Sequence, residues 1–285
     1  KPPRMRVPGV DYRMCDVRDL SNFDVAGEVT TIYNLAAVHT TPGHAVHEYY
    51  ETNIAGATQI TAFARRKGVR EIIFTSSISV YGPSEETKTE DRRPEPESAY
   101  GWSKWLAEGI HRAWFAENDA QRLIVVRPAV IFGPGEGGNF TRLAKLLKKG
   151  FFVYPGRTDT VKACFYVDDL VDAIMFARAQ PERYILFNGC YPDRYTIEQI
   201  VETMRAVHFG AAKTFVFPKA ALLGIATMLR PLSASGIGIH PDRILKLVRS
   251  TDILPGWLSA QGFGRPGALT DAIERWKTAT NGAFD

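Results

Sequence analysis

Apolar residues in this chain come in short unbroken runs, separated by longer stretches with helical periodicity. Thr31-Ile32-Tyr33-Asn34-Leu35-Ala36-Ala37, Glu71-Ile72-Ile73-Phe74-Thr75 and Arg122-Leu123-Ile124-Val125-Val126-Arg127 do not alternate with polar residues. That pattern predicts strands buried on both faces. Between the first two, Ala45 to Lys67 places Ile54, Ala57, Ile60 and Ala64 on one helical stripe, and Gly68 ends it. A second helix is predicted from about Ala99 to Glu117, capped by the Ser98 hydroxyl. The polar stretch from Gly82 to Ser98, with Pro83, Pro94 and Pro96, reads as a loop. Strand, helix, strand, helix, strand in this form predicts a parallel sheet covered on both faces. Such sheets bind ligands at the carboxyl ends of their strands. Asp16, Ala36, Ser77 and Pro128 all fall at or just past predicted strand ends, which argues for one shared site.

The rhythm changes after Gly133-Pro134-Gly135. Phe140 to Lys149 is amphipathic, a further helix opens at Asp168 or Asp169 and runs to Ala179, and Tyr184 to Asn188 reads as a strand. From Thr196 onward the pattern is helical with irregular links. We expect a sheet domain of residues 1–133 plus about 161–190, and a smaller, mostly helical domain of about 134–160 plus 195–285.

Composition narrows the class. The 285 residues are 45% hydrophobic and 23% charged, as in soluble globular proteins. A net charge of +4 gives no reason to expect nucleic acid, though a local basic pocket for an anionic ligand stays open. Cys15, Cys164 and Cys190 lack metal-ligand spacing and leave an odd thiol, the usage of a reduced, cytoplasmic protein. No metal site is expected. The start of the chain lacks the apolar core of a secretory signal. The longest apolar run, Ala220 to Leu229, is short of the ~20 residues a membrane span needs.

The most informative chemistry is Tyr100-Gly101-Trp102-Ser103-Lys104. A Tyr and a Lys four residues apart share one helix face. An ammonium beside a phenol stabilises the phenolate and lowers a pKa that starts near ~10, giving an acid–base group usable near neutrality. The pair alone is a common surface pattern; here it follows an apolar strand ending in Thr75-Ser76-Ser77.

Four motifs in order carry a family resemblance: Phe74-Thr75-Ser76-Ser77-Ile78-Ser79-Val80-Tyr81-Gly82, Ser98-Ala99-Tyr100-Gly101-Trp102-Ser103-Lys104, Val126-Arg127-Pro128-Ala129-Val130-Ile131-Phe132-Gly133-Pro134-Gly135 and Phe165-Tyr166-Val167-Asp168-Asp169-Leu170. Over roughly residues 14–190 the chain resembles the extended short-chain dehydrogenases/reductases, and among them the NAD-dependent epimerase/dehydratase group. The resemblance implies an α/β fold with a Rossmann-like doubly wound parallel sheet as the NAD-binding domain and a helical C-terminal substrate domain. It implies Tyr100 as the acid–base that moves a hydroxyl proton, Lys104 as its modulator and a ribose ligand, and Ser77 as hydrogen-bond partner of the reacting oxygen. Cofactor contacts are implied for Asp16 and Val17, for Leu35, Ala36 and Ala37, for His39, Asn53 and Thr75, for Tyr100 and Lys104, and for Pro128, Ala129 and Val130. For His39 an ordinary surface histidine is an equal reading. Ser77, Tyr81, Asn139, Lys162 and Arg243 are the candidate substrate contacts. In Asp168-Asp169 we read a helix cap and first-turn acids rather than a catalytic pair.

The departures matter as much. The family's glycine-rich G-x-x-G-x-x-G turn, which binds pyrophosphate at a helix N-terminus, is not in this sequence. Lys1-Pro2-Pro3 reads as the loop after the second strand, so some 30–40 residues (about one βαβ unit) are expected ahead of it. True loss of that unit would make the chain a non-catalytic nucleotide-binding relative. NAD is the default cofactor and NADP stays open, because the discriminating acid belongs to the same unit. Val130 stands where sugar-nucleotide 4-epimerases carry an Asn, which resembles hydroxysteroid dehydrogenases; Asn139, Lys162 and Arg243 point back to a nucleotide sugar. Thr75 is not followed by the Asp-Glu pair of 4,6-dehydratases. The leading expectation is an NAD-dependent nucleotide-sugar epimerase or 4-ketoreductase, with a 3β-hydroxysteroid-type or other alcohol dehydrogenase as the alternative. The resemblance also implies a homodimer joined through the helices at 45–67 and 99–117.

Overall fold

The computed structural model describes residues 6–40, 43–218, 249–264 and 266–285. They form two compact units: residues 1–82, 94–126 and 181–185 in the first, and 83–93, 127–180 and 186–285 in the second. In these terms residues 83–93, 127–133, 161–180 and 186–190, expected with the sheet, group with the second unit.

The principal sheet has the order β1 (Thr31–Asn34), β2 (Glu71–Thr75), β4 (Arg122–Pro128), β8 (Tyr184–Gly189). β1 pairs with β2, and β2 with β4, in parallel. Ile72, Ile73 and Phe74 of β2 and Leu123 to Val126 of β4 are each at most 1% exposed. Continuous burial with no alternation is what the unbroken apolar runs required, each large side chain contributing about 1.5–3 kcal/mol. β1 is shorter than expected: Leu35 to Ala37 lie beyond the strand.

Helix α1 (Val46–Lys67) joins β1 to β2 and ends on Gly68, whose φ of 67° is the left-handed conformation that a C-terminal glycine supplies without strain. Helix α2 (Ala99–Phe115) joins β2 to β4, and Ser98 caps it by accepting from the Gly101 N–H.

Among its described residues the second unit holds short strands as well as helices. Three two-stranded parallel pairs are present: β3 (Ser84–Lys88) with β10 (Thr251–Ile253), β5 (Val130–Phe132) with β7 (Cys164–Tyr166), and β6 (Phe151–Pro155) with β9 (Lys213–Phe217). β3 lies inside the stretch read as a loop; its sequence, Ser-Glu-Glu-Thr-Lys, has no apolar residue to reveal it. The helices among the described residues are α3 (Asn139–Lys148), α4 (Val167–Ala179), α5 (Ile197–Val207), α6 (Gly256–Ala260) and α7 (Leu269–Ala279). Phe132, Phe140, Tyr166, Trp276 and Phe284 form a connected aromatic core. No helix among the described residues is long and apolar enough to cross a membrane.

Candidate active site

The site begins where β2 stops. The Ser76 N–H still donates to Val126 O (2.7 Å), and Ser77 then caps a short 3₁₀ turn, Ile78–Tyr81, by accepting from Ser79 N–H (3.1 Å). Helix α2 starts against this turn. A Cβ at Gly101 would lie 2.5 Å from Ser79 O, so only glycine lets the first turn of α2 approach so closely. Glu95 N–H donates to Val80 O (2.9 Å) and holds the intervening loop to the same turn. Together these contacts bring the Ser77 hydroxyl close to the Tyr100 phenol.

Burial pushes the Tyr100 phenol above its ordinary pKa, and the Ser77 hydroxyl opposes that. Lys104 is itself only 1% exposed, and burial brings it down to about 7 while the Glu108 carboxylate holds it up. Its ammonium lies 4.3 Å above the Phe74 ring. Desolvation therefore acts on both members of the pair and disfavours the charged form of each.

Behind Lys104 lies a buried polar layer that the sequence reading missed. Glu108, fully buried, accepts from Ser76 Oγ (2.6 Å) and from Arg112 Nη1 (3.1 Å). His111, also fully buried, contacts Ala107 O through Nδ1 (2.7 Å) and Asn34 Nδ2 through Nε2 (3.2 Å), and stacks on Phe74 at 4.1 Å. Its pKa falls to about 4, first through burial. Thr75 Oγ1 donates to Asn34 O (3.2 Å), closing the layer across the ends of β1 and β2. The signal for it was present as spacing: Lys104, Glu108 and Arg112 recur every four residues on one face of α2.

Asn53 is buried in α1 and clamps the chain after β1, accepting from Val38 N–H (2.9 Å) and donating to Val38 O (3.1 Å). It also donates to Ser103 Oγ (2.8 Å), whose hydroxyl donates to Tyr100 O (2.8 Å). One asparagine thus joins the β1 loop to the catalytic helix. Leu35 (62% exposed), Ala36 and His39 are open on that loop, and Ala37 is half-buried. Asp16 is exposed and held by Arg18 through both carboxylate oxygens, which keeps it at about 2. Val17 packs on α1 at Gly56, where a Cβ would approach Val17 Cγ1 to 3.1 Å. Arg18 is a further residue the sequence reading missed.

Tyr81 is fully buried in the 3₁₀ turn. In the second unit, Pro128 ends β4, Ala129 N–H donates to Gly189 O (3.0 Å), and half-buried Val130 opens β5. Asn139 is the exposed first residue of α3. Lys162 donates to Arg249 O (2.6 Å), and burial brings it down to about 8. Asp168 and Asp169 both fall in the first turn of α4, one residue inside the expected start; Asp169 pairs with Arg275 (2.7 Å) and accepts from the Tyr191 hydroxyl. Arg243 lies outside the described residues.

The chain is 28% identical over 266 residues, 91% of its length and 80% of the relative's, to the N-acetyl-α-D-glucosaminyl-diphospho-ditrans,octacis-undecaprenol 4-epimerase of Escherichia coli O157:H7. It is 29% identical to the UDP-glucose 4-epimerase of Vibrio cholerae over 184 residues, 61% of this chain and 56% of that enzyme. Its fold matches the UDP-N-acetylglucosamine 4-epimerase of Bacillus cereus with a TM-score of 0.72 at 18% identity, covering 97% of this chain and 86% of the other. A family model spans residues 3–188, and the chain belongs to the NAD dependent epimerase/dehydratase family.

Proposed function

We propose that this protein is an NAD-dependent nucleotide-sugar epimerase or 4-ketoreductase in which Tyr100, Ser77 and Lys104 carry the proton chemistry. The observation that supports it most is the approach of Ser77 and Tyr100 at the carboxyl end of β2, with Lys104 buried one turn further along α2. The residues present suit the cofactor. The open Ala36 and half-buried Ala37 leave backbone accessible past β1, Asp16 offers an ionised carboxylate, and Tyr100 and Lys104 offer ribose donors.

Bound in this site, NAD would supply the hydride acceptor for oxidation of the sugar carbon and the hydride donor for its reduction. Ser77 orients the sugar hydroxyl toward Tyr100. Tyr100 takes the hydroxyl proton as the carbon is oxidised and gives it back on reduction. Lys104, when protonated, stabilises the phenolate. Asn53, through Ser103, fixes the backbone of Tyr100 against the β1 loop. In an epimerase the oxidation and reduction cancel, so catalytic cofactor suffices. Asn139, Lys162 and Arg243 are assigned to the substrate diphosphate and nucleotide, and Tyr81 to shaping the pocket.

The relatives support a glycosyl diphosphate, and they divide on its carrier. A UDP-glucose 4-epimerase favours a nucleotide carrier; the relative that matches most of this chain acts on a sugar carried by diphospho-undecaprenol, which makes a lipid-linked sugar the second reading. The test is a panel of UDP-sugars and polyprenyl-diphosphate sugars incubated with NAD and the protein, with products read for inversion at C4. The Tyr100→Phe variant should be inactive. The proposal fails if no sugar of either kind is converted or if Tyr100→Phe keeps full activity.

We also propose a cytoplasmic homodimer. Val46 of α1 (65% exposed) and Trp102 and Leu106 of α2 (45% and 44%) are apolar residues open on the two helices expected to pair. Light scattering of Trp102→Glu against the parent chain tests this.

A further inference from the structure

The β6–β9 pair in the second unit presents an apolar face to solvent. Parallel register sets Phe151 beside Lys213, and Val153 beside Phe215, so these four side chains point the same way. Phe151 is 45% exposed, Val153 38% and Phe215 55%. On the opposite face Tyr154 is buried, near Glu198, Glu202 and Arg205 of α5, while its neighbour Val216 is 56% exposed. Two open phenyl rings and a valine on one short sheet form a patch that calls for a partner.

The charge around the patch has one sign. Helix α3 runs into β6 through Lys148-Lys149-Gly150, and Arg142, Lys145, Lys148 and Lys149 are all exposed, as is Leu146 (37%) among them. Lys213 stands at the same end of the sheet, opposite Phe151. No Asp or Glu occurs from Gly137 to Thr158, nor from Thr203 to Pro218, although the chain has 31 acidic residues in all. Arg157 is already paired with Asp159 and Glu85 and is not counted here. Among the described residues, the segments that lead into this face thus carry cations with no acidic residue beside them in sequence.

We infer that this face docks on an anionic lipid surface. Exposed aromatic and aliphatic side chains ringed by lysines match the boundary between acyl chains and acidic headgroups. A second copy of the chain fits poorly, because a two-fold contact would press Lys148, Lys149 and Lys213 against their own kind. The docking is peripheral and involves no span. It rests on the surface alone and does not depend on which sugar the active site takes.

The test is co-sedimentation of the full chain with vesicles of phosphatidylcholine, alone or with about one-third phosphatidylglycerol. Binding should appear only with the acidic lipid and be lost in high salt. Lys148→Gln/Lys149→Gln should weaken it about tenfold or more, since each surface lysine contributes about fivefold. Phe215→Ser should weaken it about tenfold through lost apolar insertion. All these positions are exposed, and unchanged thermal midpoints would show that the fold is kept. Equal binding to both vesicles, no binding to either, or variants that bind like the parent would each overturn the inference. So would a Phe215→Ser variant that breaks a dimer while leaving vesicle binding unchanged, since the patch would then be a protein interface.

Discussion

Replacing Glu108 by Gln tests whether the buried layer behind the Tyr–Lys pair sets the charge of Lys104. Glu108 lies one helical turn from Lys104, fully buried, with Ser76 and Arg112 as its hydrogen-bond partners. Side chains at that spacing are about 6 Å apart. With an effective dielectric of about 20, the attraction is about 2–3 kcal/mol, or roughly two pH units. Burial already takes Lys104 from 10.5 to about 7 with the carboxylate present. Without it, and with Arg112 left uncompensated, Lys104 should titrate near ~5. NMR titration of 13Cε-labelled lysine reads this directly. Stability gives a second reading. A lysine whose folded pKa is depressed binds fewer protons folded than unfolded, so stability rises with pH between the folded and unfolded values. In the parent chain that rise starts at about 7 and totals about 5 kcal/mol by the unfolded value. In Glu108→Gln it should start about two units lower, so the variant gains stability between about pH 5 and 7 where Lys104 in the parent contributes no slope. A Lys104 that titrates at or above its parent value in the variant would refute the argument.

Three further outcomes follow from the same contacts. Gly101→Ala should cost about 1–3 kcal/mol and most of the activity, because its Cβ meets the Ser79 backbone and pushes Tyr100 from Ser77; denaturation and turnover measured together check this. His111 is neutral when buried, so as pH falls from 6.5 through about 4 the fold should lose about 3 kcal/mol, and His111→Gln should flatten that part of the denaturation profile. Arg18→Ala should return Asp16 from about 2 to the ordinary carboxylate range, as read by NMR titration, because the Arg18 hydrogen bonds are the main cause of its depression.

The two central strands were legible because they are buried on both faces, whereas β1, read the same way, is an edge strand with Tyr33 42% exposed. Ile72 to Phe74 and Leu123 to Val126 announce themselves by having no polar residue to alternate with. The Tyr100–Lys104 pair was legible because helical spacing follows directly from sequence. Its partner Ser77 needed the strand end to be located first, and Ser98 and Gly68 marked the helix ends by their capping chemistry. The small parallel pairs of the second unit were not legible. β5 and β7 have three residues each, too few to show a period, and β3 is polar throughout. Such strands exist because of partners distant in sequence, and local pattern carries no trace of those.

The electrostatics were the least legible part, for a physical reason. Spacing shows that two groups can meet; it does not show how much water they lose on meeting. Sequence reasoning took Lys104 as a fixed positive charge acting on Tyr100. In the folded chain, Phe74 beneath its ammonium and the sheet around it make that charge costly, and Glu108 recovers part of the cost. A lysine held at about 7 can gain or lose its proton near neutrality, so the Lys104 charge that favours the Tyr100 phenolate is adjustable rather than permanent. Ser76 and Arg112 hold Glu108, and Asn34 and Ala107 hold His111 on the same helix, so the ends of β1 and β2 and three turns of α2 act on that charge together. The acid–base pair is therefore better described as one edge of a buried polar layer than as two residues on a helix, and substitutions in that layer should move the pH dependence of catalysis without touching substrate.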